Sequence, residues 1–281
     1  MRQQLHVGEI TIGDGPLAVI AGPCVLESVD QAIESAAFLR DTCRDANLPF
    51  IFKASYDKAN RTSTHSPRGP GLAEGLAMLA AIKDATGVPL TTDVHECSQA
   101  GPVAEIADLL QVPAFLCRQT DLLVACARTG RPVNVKKGQF MSPHDMTHVT
   151  AKLEEAGCSG TMLTERGTFF GYQRLVNDFI GLGDLMELGP PVCFDVTHST
   201  QLPGGGRDKT AGRPDRAGLL CAAAAAAGVD AIFIECHQDP PSALSDASTM
   251  QPLQAVPDMV HRAAAIAEIV RSGATIDNPP A

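Results

Sequence analysis

Short apolar runs recur along the chain, at 17–24, 49–55, 89–94, 109–113, 132–136, 161–165, 191–196 and 231–236. They are rich in β-branched residues, continuous rather than alternating, and bounded by Pro, Gly or charge. That pattern marks strands buried on both faces. Amphipathic or Ala-rich segments lie between them, most clearly at 28–46, 71–86, 98–107, 120–129, 143–156, 213–227 and 252–270. Eight strand–helix units in 281 residues predict the α/β class and a (β/α)8 TIM barrel, a fold of ~250 residues. A doubly wound sheet is the competing architecture. It normally has fewer parallel strands and gives no reason for polar residues at every strand end. Residues 5–12 alternate around Gly8 and read as a hairpin ahead of the first barrel strand. The run Ala222 to Ala227 reads as a close-packed helix stopped by Gly228. With no linker in view, 1–16 as hairpin and 17–281 as barrel are expected to form one domain.

Barrel enzymes place their working groups at the C-terminal strand ends and the loops that follow. Here those positions hold Cys24, Lys53, Lys58, Arg61, Asp93, His95, Lys136, Arg166, Asp195, His198, Glu235 and His237. Ionisable groups from seven strands would converge on one mouth, which a purely structural protein has little use for. The arrangement predicts an enzyme.

Composition narrows its substrate. Aromatics are 4% and Trp is absent, but 44% hydrophobic residues suffice for a core of Val, Ile, Leu and Ala. No apolar stretch approaches the ~18 residues of a membrane span. The first residues lack the apolar centre of a signal peptide, and nine scattered Cys suggest reduced thiols in a cytoplasm. A formal charge of −10 argues against nucleic acid as a partner. Yet Lys53, Lys58, Arg61, Arg68, Arg118, Lys136, Lys137 and Arg166 cluster at strand ends. An acidic protein with a cationic pocket points to a small anion. The stretch from Phe52 to Ser63 adds three cations and several hydroxyls just past a strand, a composition suited to phosphate. A solvated basic loop is the bland alternative.

Several segments are recognisable together. KANRTS after FKAS, then TDVHE, RQTD, NVKKGQF, DVTHSTQLPGG and IECH with ALSDAS, follow one another in order. The chain thereby resembles the 3-deoxy-D-manno-octulosonate-8-phosphate synthase family from about Leu17 to Leu253. The resemblance implies condensation of phosphoenolpyruvate with D-arabinose 5-phosphate and water, giving the octulosonate 8-phosphate and inorganic phosphate. This transferase step serves lipopolysaccharide precursor synthesis. It implies that the N-terminal hairpin closes the barrel bottom, and a homotetramer with shared sites. By the family pattern Lys53, Lys58, Lys136 and Arg166 bind phosphoenolpyruvate. Asn60, Arg61, Thr62 and Asp93 hold the sugar phosphate, with Arg118 and Phe115 completing that site from a neighbouring subunit. Catalytic roles fall to Lys58, Lys136, Asp246 and His198. His65 and His95 stay unassigned. Strand alternation independently favours Lys136 over Lys137 as the inward residue.

Cys24, His198, Glu235 and Asp246 could meet at the mouth, and thiolate, imidazole and carboxylate together suit a divalent transition metal better than magnesium. Singly, each has an ordinary structural reading, and no C-x-x-C or H-E-x-x-H spacing supports a metal. The resemblance implies the metal-dependent branch. Cys24 stands in Ala21-Gly22-Pro23-Cys24 where the metal-free branch has Asn, and Gly138 stands where that branch usually has Pro. Mn, Fe, Zn or Co would serve as cofactor. The stretch from Gly204 to Arg213 is expected to form a lid. Two rivals remain: the related synthase that uses erythrose 4-phosphate in aromatic biosynthesis, and a non-catalytic phosphosugar-binding barrel.

Overall fold

A computed structural model describes residues 3–61, 63, 65–204 and 211–273. Eight parallel strands, β1 (Ala18–Gly22), β2 (Phe50–Lys53), β3 (Leu90–Asp93), β4 (Leu109–Val112), β5 (Val133–Lys136), β6 (Thr161–Glu165), β7 (Val192–Asp195) and β8 (Ala231–His237), pair in sequence order. β8 pairs with β7 at Ala231↔Cys193 and with β1 at Ala231↔Ala18, which closes the barrel. The helices between and after them are α1 (Val29–Asp45), α2 (Leu72–Thr86), α3 (Cys97–Ile106), α4 (Thr120–Ala127), α5 (Met146–Glu155), α6 (Phe179–Glu187), α7 (Ala217–Ala227) and α8 (Val256–Ser272). The predicted (β/α)8 barrel is the observed fold.

Strand alternation divides the core in two. Val19, Phe50, Phe52, Leu90, Leu110, Val133, Val135 and Leu163 face outward and pack under the helices. Ala18, Ile20, Ile51, Leu109, Met162, Cys193, Ala231 and Phe233 fill the lumen. The predicted hairpin forms from Leu5–Val7 and Ile10–Ile12, and its Leu5, Val7 and Ile12 join the lumen cluster, sealing the end opposite the strand tips. Two residues further along, on the same inward face, the lumen turns polar: Lys53 follows Ile51, Gln111 follows Leu109, Thr164 follows Met162, Asp195 follows Cys193 and Glu235 follows Phe233. This layering is what makes the upper end of the barrel a site.

Two elements were not predicted. The segment FIGLGDLME, α6, carries Gly181 and Gly183, which lower helix propensity, yet Asp178 caps it by accepting from the Ile180 amide at 3.1 Å. Residues Gln201–Leu202 pair antiparallel with Ala211–Gly212. The rest of the expected lid, 205–210, lies outside the described residues. α7 ends at Gly228 (φ 81) as predicted.

Gly22, at the tip of β1, has φ 157, and a Cβ there would collide with the Lys53 carbonyl oxygen. The oxygen belongs to the backbone and a Cβ is fixed by its own, so neither can swing aside. Gly22→Ala should therefore lower stability by about 1–3 kcal/mol, seen as a lower urea midpoint at unchanged slope.

Candidate active site

A cavity of about 400 Å3 opens at the C-terminal strand ends. Lys53, Lys58, Asn60, Arg61, Asp93, His95, Phe115, Lys136, Arg166, His198, Glu235 and Asp246 all line it. A larger groove, about 700 Å3, is lined by Tyr172, Arg174, Leu202, Arg213, Arg216 and Leu219 among others. It lacks the convergence of buried charge found at the strand ends, so the smaller cavity is the candidate site.

Its floor is a network of buried charge. Lys53 Nζ donates to Glu235 Oε1 at 2.6 Å and to the Cys24 carbonyl at 3.3 Å, and neither charged side chain is more than 1% exposed. Breaking one partner of such a pair typically costs about 3–5 kcal/mol, because the other charge is left buried alone. Lys58 Nζ lies 3.9 Å from Asp93 and 3.8 Å from Glu235. Across the lumen, Lys136 Nζ donates to Asp195 Oδ2 at 2.6 Å and sits 3.7 Å over the Phe233 ring. Lys137 turns the other way, to Glu235's counterpart on the outer face, Glu165, at 3.2 Å. The alternation argument for Lys136 holds. Glu165 also accepts from the Arg166 amide at 2.9 Å, while the Arg166 guanidinium donates to Gln201 Oε1 at 2.5 Å.

The sequence list drew residues from every strand except β4. The structure supplies Gln111, whose Nε2 donates to Asp93 Oδ1 at 2.6 Å. Gln111 Oε1 accepts from Asn134 at 3.1 Å, and Asn134 accepts from Thr164 at 2.7 Å. A belt of side-chain hydrogen bonds thus spans β3 to β6 beneath the cavity. Its signal was present, since Gln111 follows Leu109 at the strand period of two. Ser55, also missed, donates to Asp93 Oδ2 at 2.5 Å and accepts from Lys58 at 3.1 Å.

Burial alone would raise the Asp93 carboxyl, but the ammonium groups of Lys53 and Lys58 outweigh it and hold the group well below the ordinary carboxylate range. A carboxyl depressed in the folded state stabilises above its unfolded pKa of about 3.9 and loses that contribution as pH falls. Stability should therefore decline from about pH 5 downward. In Asp93→Asn this decline should be shallower, as read by urea unfolding at stepped pH.

Cys24 lies two residues beyond β1 and is 1% exposed. Its Sγ is 3.0 Å from Asp246 Oδ2, and ligand atoms of Cys24, Glu235 and Asp246 lie within 4.8 Å of one another. Burial first, then the carboxylates of Asp246 and Glu235, push the thiol well above its ordinary value. Glu235 Oε2 is buried without a hydrogen-bond partner. A soft thiol, two carboxylates and an orphaned buried oxygen are what a divalent cation would satisfy, so the donor set fits a metal. Asp246 adopts φ 49, a left-handed backbone uncommon for residues other than glycine. His198 stands at the edge of this group, Nε2 3.5 Å from Glu235 Oε2 and Nδ1 2.7 Å from Asp195 Oδ2.

Other expected residues fall less centrally. Arg61 lines the cavity with its guanidinium anchored by the Pro67 and Leu244 carbonyls and by Ser245 Oγ. Thr62 lies outside the described residues. Arg118 is exposed and does not line the cavity of its own chain, whereas Phe115 does and is 50% exposed. His237 turns away to Glu27. Among the described residues, no helix is long and apolar enough to cross a membrane.

Comparison with known proteins agrees with this geometry. The profile of the DAHP synthetase I family matches residues 2–269. The chain is 46% identical over 272 residues to the 2-dehydro-3-deoxyphosphooctonate aldolase of Trichlorobacter lovleyi, covering 96% of this chain and all of the relative. It is 52% identical over 241 residues to the protein of that name from a Synechococcus strain, covering 85% of each. A third, from Desulfatibacillum aliphaticivorans, is 52% identical over 244 residues, 86% of this chain and 89% of the relative. With a barrel whose mouth gathers buried cations around a metal-compatible trio, and with such identity along nearly its whole length, this chain belongs to the 2-dehydro-3-deoxyphosphooctonate aldolase family.

Proposed function

We infer that the protein is a transferase that condenses phosphoenolpyruvate with D-arabinose 5-phosphate and water, releasing 3-deoxy-D-manno-octulosonate 8-phosphate and inorganic phosphate. The observation that carries this reading is the meeting of Lys53, Lys58, Lys136 and Arg166 in one cavity. A three-carbon frame bearing both carboxylate and phosphate needs cations from several directions. Each charge-assisted hydrogen bond contributes about 1.5–3 kcal/mol.

In the proposed reaction the enol carbon attacks the sugar aldehyde. Water adds at the phosphate-bearing carbon, and the resulting hemiketal phosphate expels inorganic phosphate by C–O cleavage. Lys58, Lys136 and Arg166 stabilise the anionic oxygens in a preorganised setting. Asn60, Arg61 and Thr62 hold the distal sugar phosphate, and Asp93 faces the sugar hydroxyls. Arg118 would serve a neighbouring subunit's site in a homotetramer, whereas Phe115, expected there too, lines the cavity of its own chain. The exposure of Arg118 away from its own cavity supports that reading. Cys24, Glu235 and Asp246, with His198 beside them, would hold Mn, Fe, Zn or Co. Such a cation supplies Lewis acidity, orientation of the aldehyde or a lowered pKa of bound water. Residues 1–281 would act as one domain, in the cytoplasm, in the synthesis of a lipopolysaccharide precursor.

The test is phosphate release from phosphoenolpyruvate with arabinose 5-phosphate, and separately with erythrose 4-phosphate. Turnover with the five-carbon sugar and at least tenfold less with the four-carbon sugar, a difference of about 1.4 kcal/mol, is expected. The reverse preference would move the chain to the aromatic-pathway reaction. Binding of both substrates without turnover would return it to the non-catalytic barrel.

A further inference from the structure

We propose that Asp195 is a positioning residue serving both halves of the site: its one carboxylate aims Lys136 at the bound anion and orients His198 toward the metal group. The proposal rests on the roles given above to Lys136 and His198. Asp195 ends β7, is fully buried, and faces the lumen. Its Oδ2 is shared between Lys136 Nζ at 2.6 Å and His198 Nδ1 at 2.7 Å, while Oδ1 accepts from the His198 amide at 2.9 Å. The carboxylate is thereby gripped by both the ring and the main chain of residue 198, which leaves it little freedom to rotate.

The plainer role is a counter-charge for Lys136. That role would need only one of these three contacts. It would not account for the ring of His198 being turned so that Nδ1 meets the carboxylate. In the tautomer whose Nδ1–H donates to Asp195, Nε2 keeps its lone pair and lies 3.5 Å from Glu235 Oε2. That oxygen is buried and without a hydrogen-bond partner. In that tautomer two lone pairs would face each other in a buried place, a poor arrangement by itself and a good one around a cation. A carboxylate behind a ligating imidazole fixes its tautomer and ring orientation, and its loss typically weakens metal binding about 10–100-fold.

Lys136 depends on the same atom. Its ammonium lies between Asp195 and the face of Phe233, 3.7 Å from the ring centroid. An ammonium on a flexible stem would otherwise sample many positions. Asp195 therefore ties the order of the anion clamp to the order of the metal flank, although the two belong to different strands.

The experiment is Asp195→Asn in the full chain, with three readouts. Chelator competition with Zn2+ gives metal affinity, long-range 1H–15N spectra of the histidines give the His198 tautomer, and calorimetry gives phosphoenolpyruvate affinity. The expected result is metal affinity lower by about 10–100-fold, a changed His198 tautomer population, and phosphoenolpyruvate affinity lower by about tenfold or more. Unchanged metal affinity and an unchanged ring spectrum, with only phosphoenolpyruvate binding weakened, would overturn the proposal and leave Asp195 as a counter-charge. If the single variant fails to fold, Asp195→Asn with Lys136→Met removes both buried charges together. Its metal affinity should still be lower, and wild-type affinity there would equally overturn the idea. Should wild-type protein bind phosphoenolpyruvate yet release no phosphate with arabinose 5-phosphate, the functional reading fails while the metal and ring readouts still decide this one.

Discussion

Lys136→Ala should lower kcat/KM by about a thousandfold or more, with the far-UV circular dichroism of the barrel unchanged. The side chain is 8% exposed, pinned between Asp195 and Phe233, and aimed into the cavity. A fixed cation facing developing negative charge in a water-poor cleft usually contributes more than any other single device. The loss should appear in kcat as well as KM, because the phosphate becomes a leaving anion only in the reaction. Stability should fall too, by about 3–5 kcal/mol or less, since Asp195 would lose one partner and keep His198. Thermal unfolding would register that fall separately from activity. Kinetics like the wild type would remove Lys136 from the catalytic assignment. Lys137→Ala is the internal contrast: it breaks the buried pair with Glu165 on the outer face, so it should lower stability and spare phosphoenolpyruvate binding.

The second large effect is expected on metal removal. Phosphate release should vanish after chelation and return on addition of Mn, Fe, Zn or Co, with metal content confirmed by elemental analysis. The reason lies in Cys24, Glu235 and Asp246, three groups whose ligand atoms crowd within 4.8 Å and leave one buried oxygen unsatisfied. Cys24→Asn separates two roles. If orientation is the chief contribution, this variant keeps turnover after chelation, because an amide can hold the substrate by hydrogen bonds. If Lewis acidity is required, turnover is lost. Activity indifferent to chelation in a verifiably metal-free wild-type enzyme would sink the metal assignment while leaving the synthase reading in place.

Much of the site was legible because barrels impose a rule. Apolar runs locate the strands, their C-terminal ends locate the mouth, and alternation tells inward from outward residues. Lys53, Asp93, Lys136, Asp195 and Glu235 were placed this way, and each faces the lumen of the barrel. Gln111 was passed over because an uncharged amide in an apolar run carries little signal, although its register marked it. The helix at Phe179–Glu187 was missed for a different reason. Its glycines suppress intrinsic propensity, and burial of Gly181, Leu182 and Leu185 against the barrel restores it.

What sequence alone determined, then, was the repeat, the strand ends and the list of charged groups that could face one another. It also carried the family, since ordered motifs over most of the chain are read without coordinates. The pairings came only from the tertiary structure. Whether Lys53 meets Glu235 across 182 residues, or Cys24 meets Asp246 across 222, depends on closure of β8 onto β1. Likewise, the sharing of Asp195 between Lys136 and His198 depends on how far each side chain projects into the lumen. Period and propensity are local properties of a chain. A buried charge network is set by which strands become neighbours and by the requirement that no charge in the lumen be left unpaired.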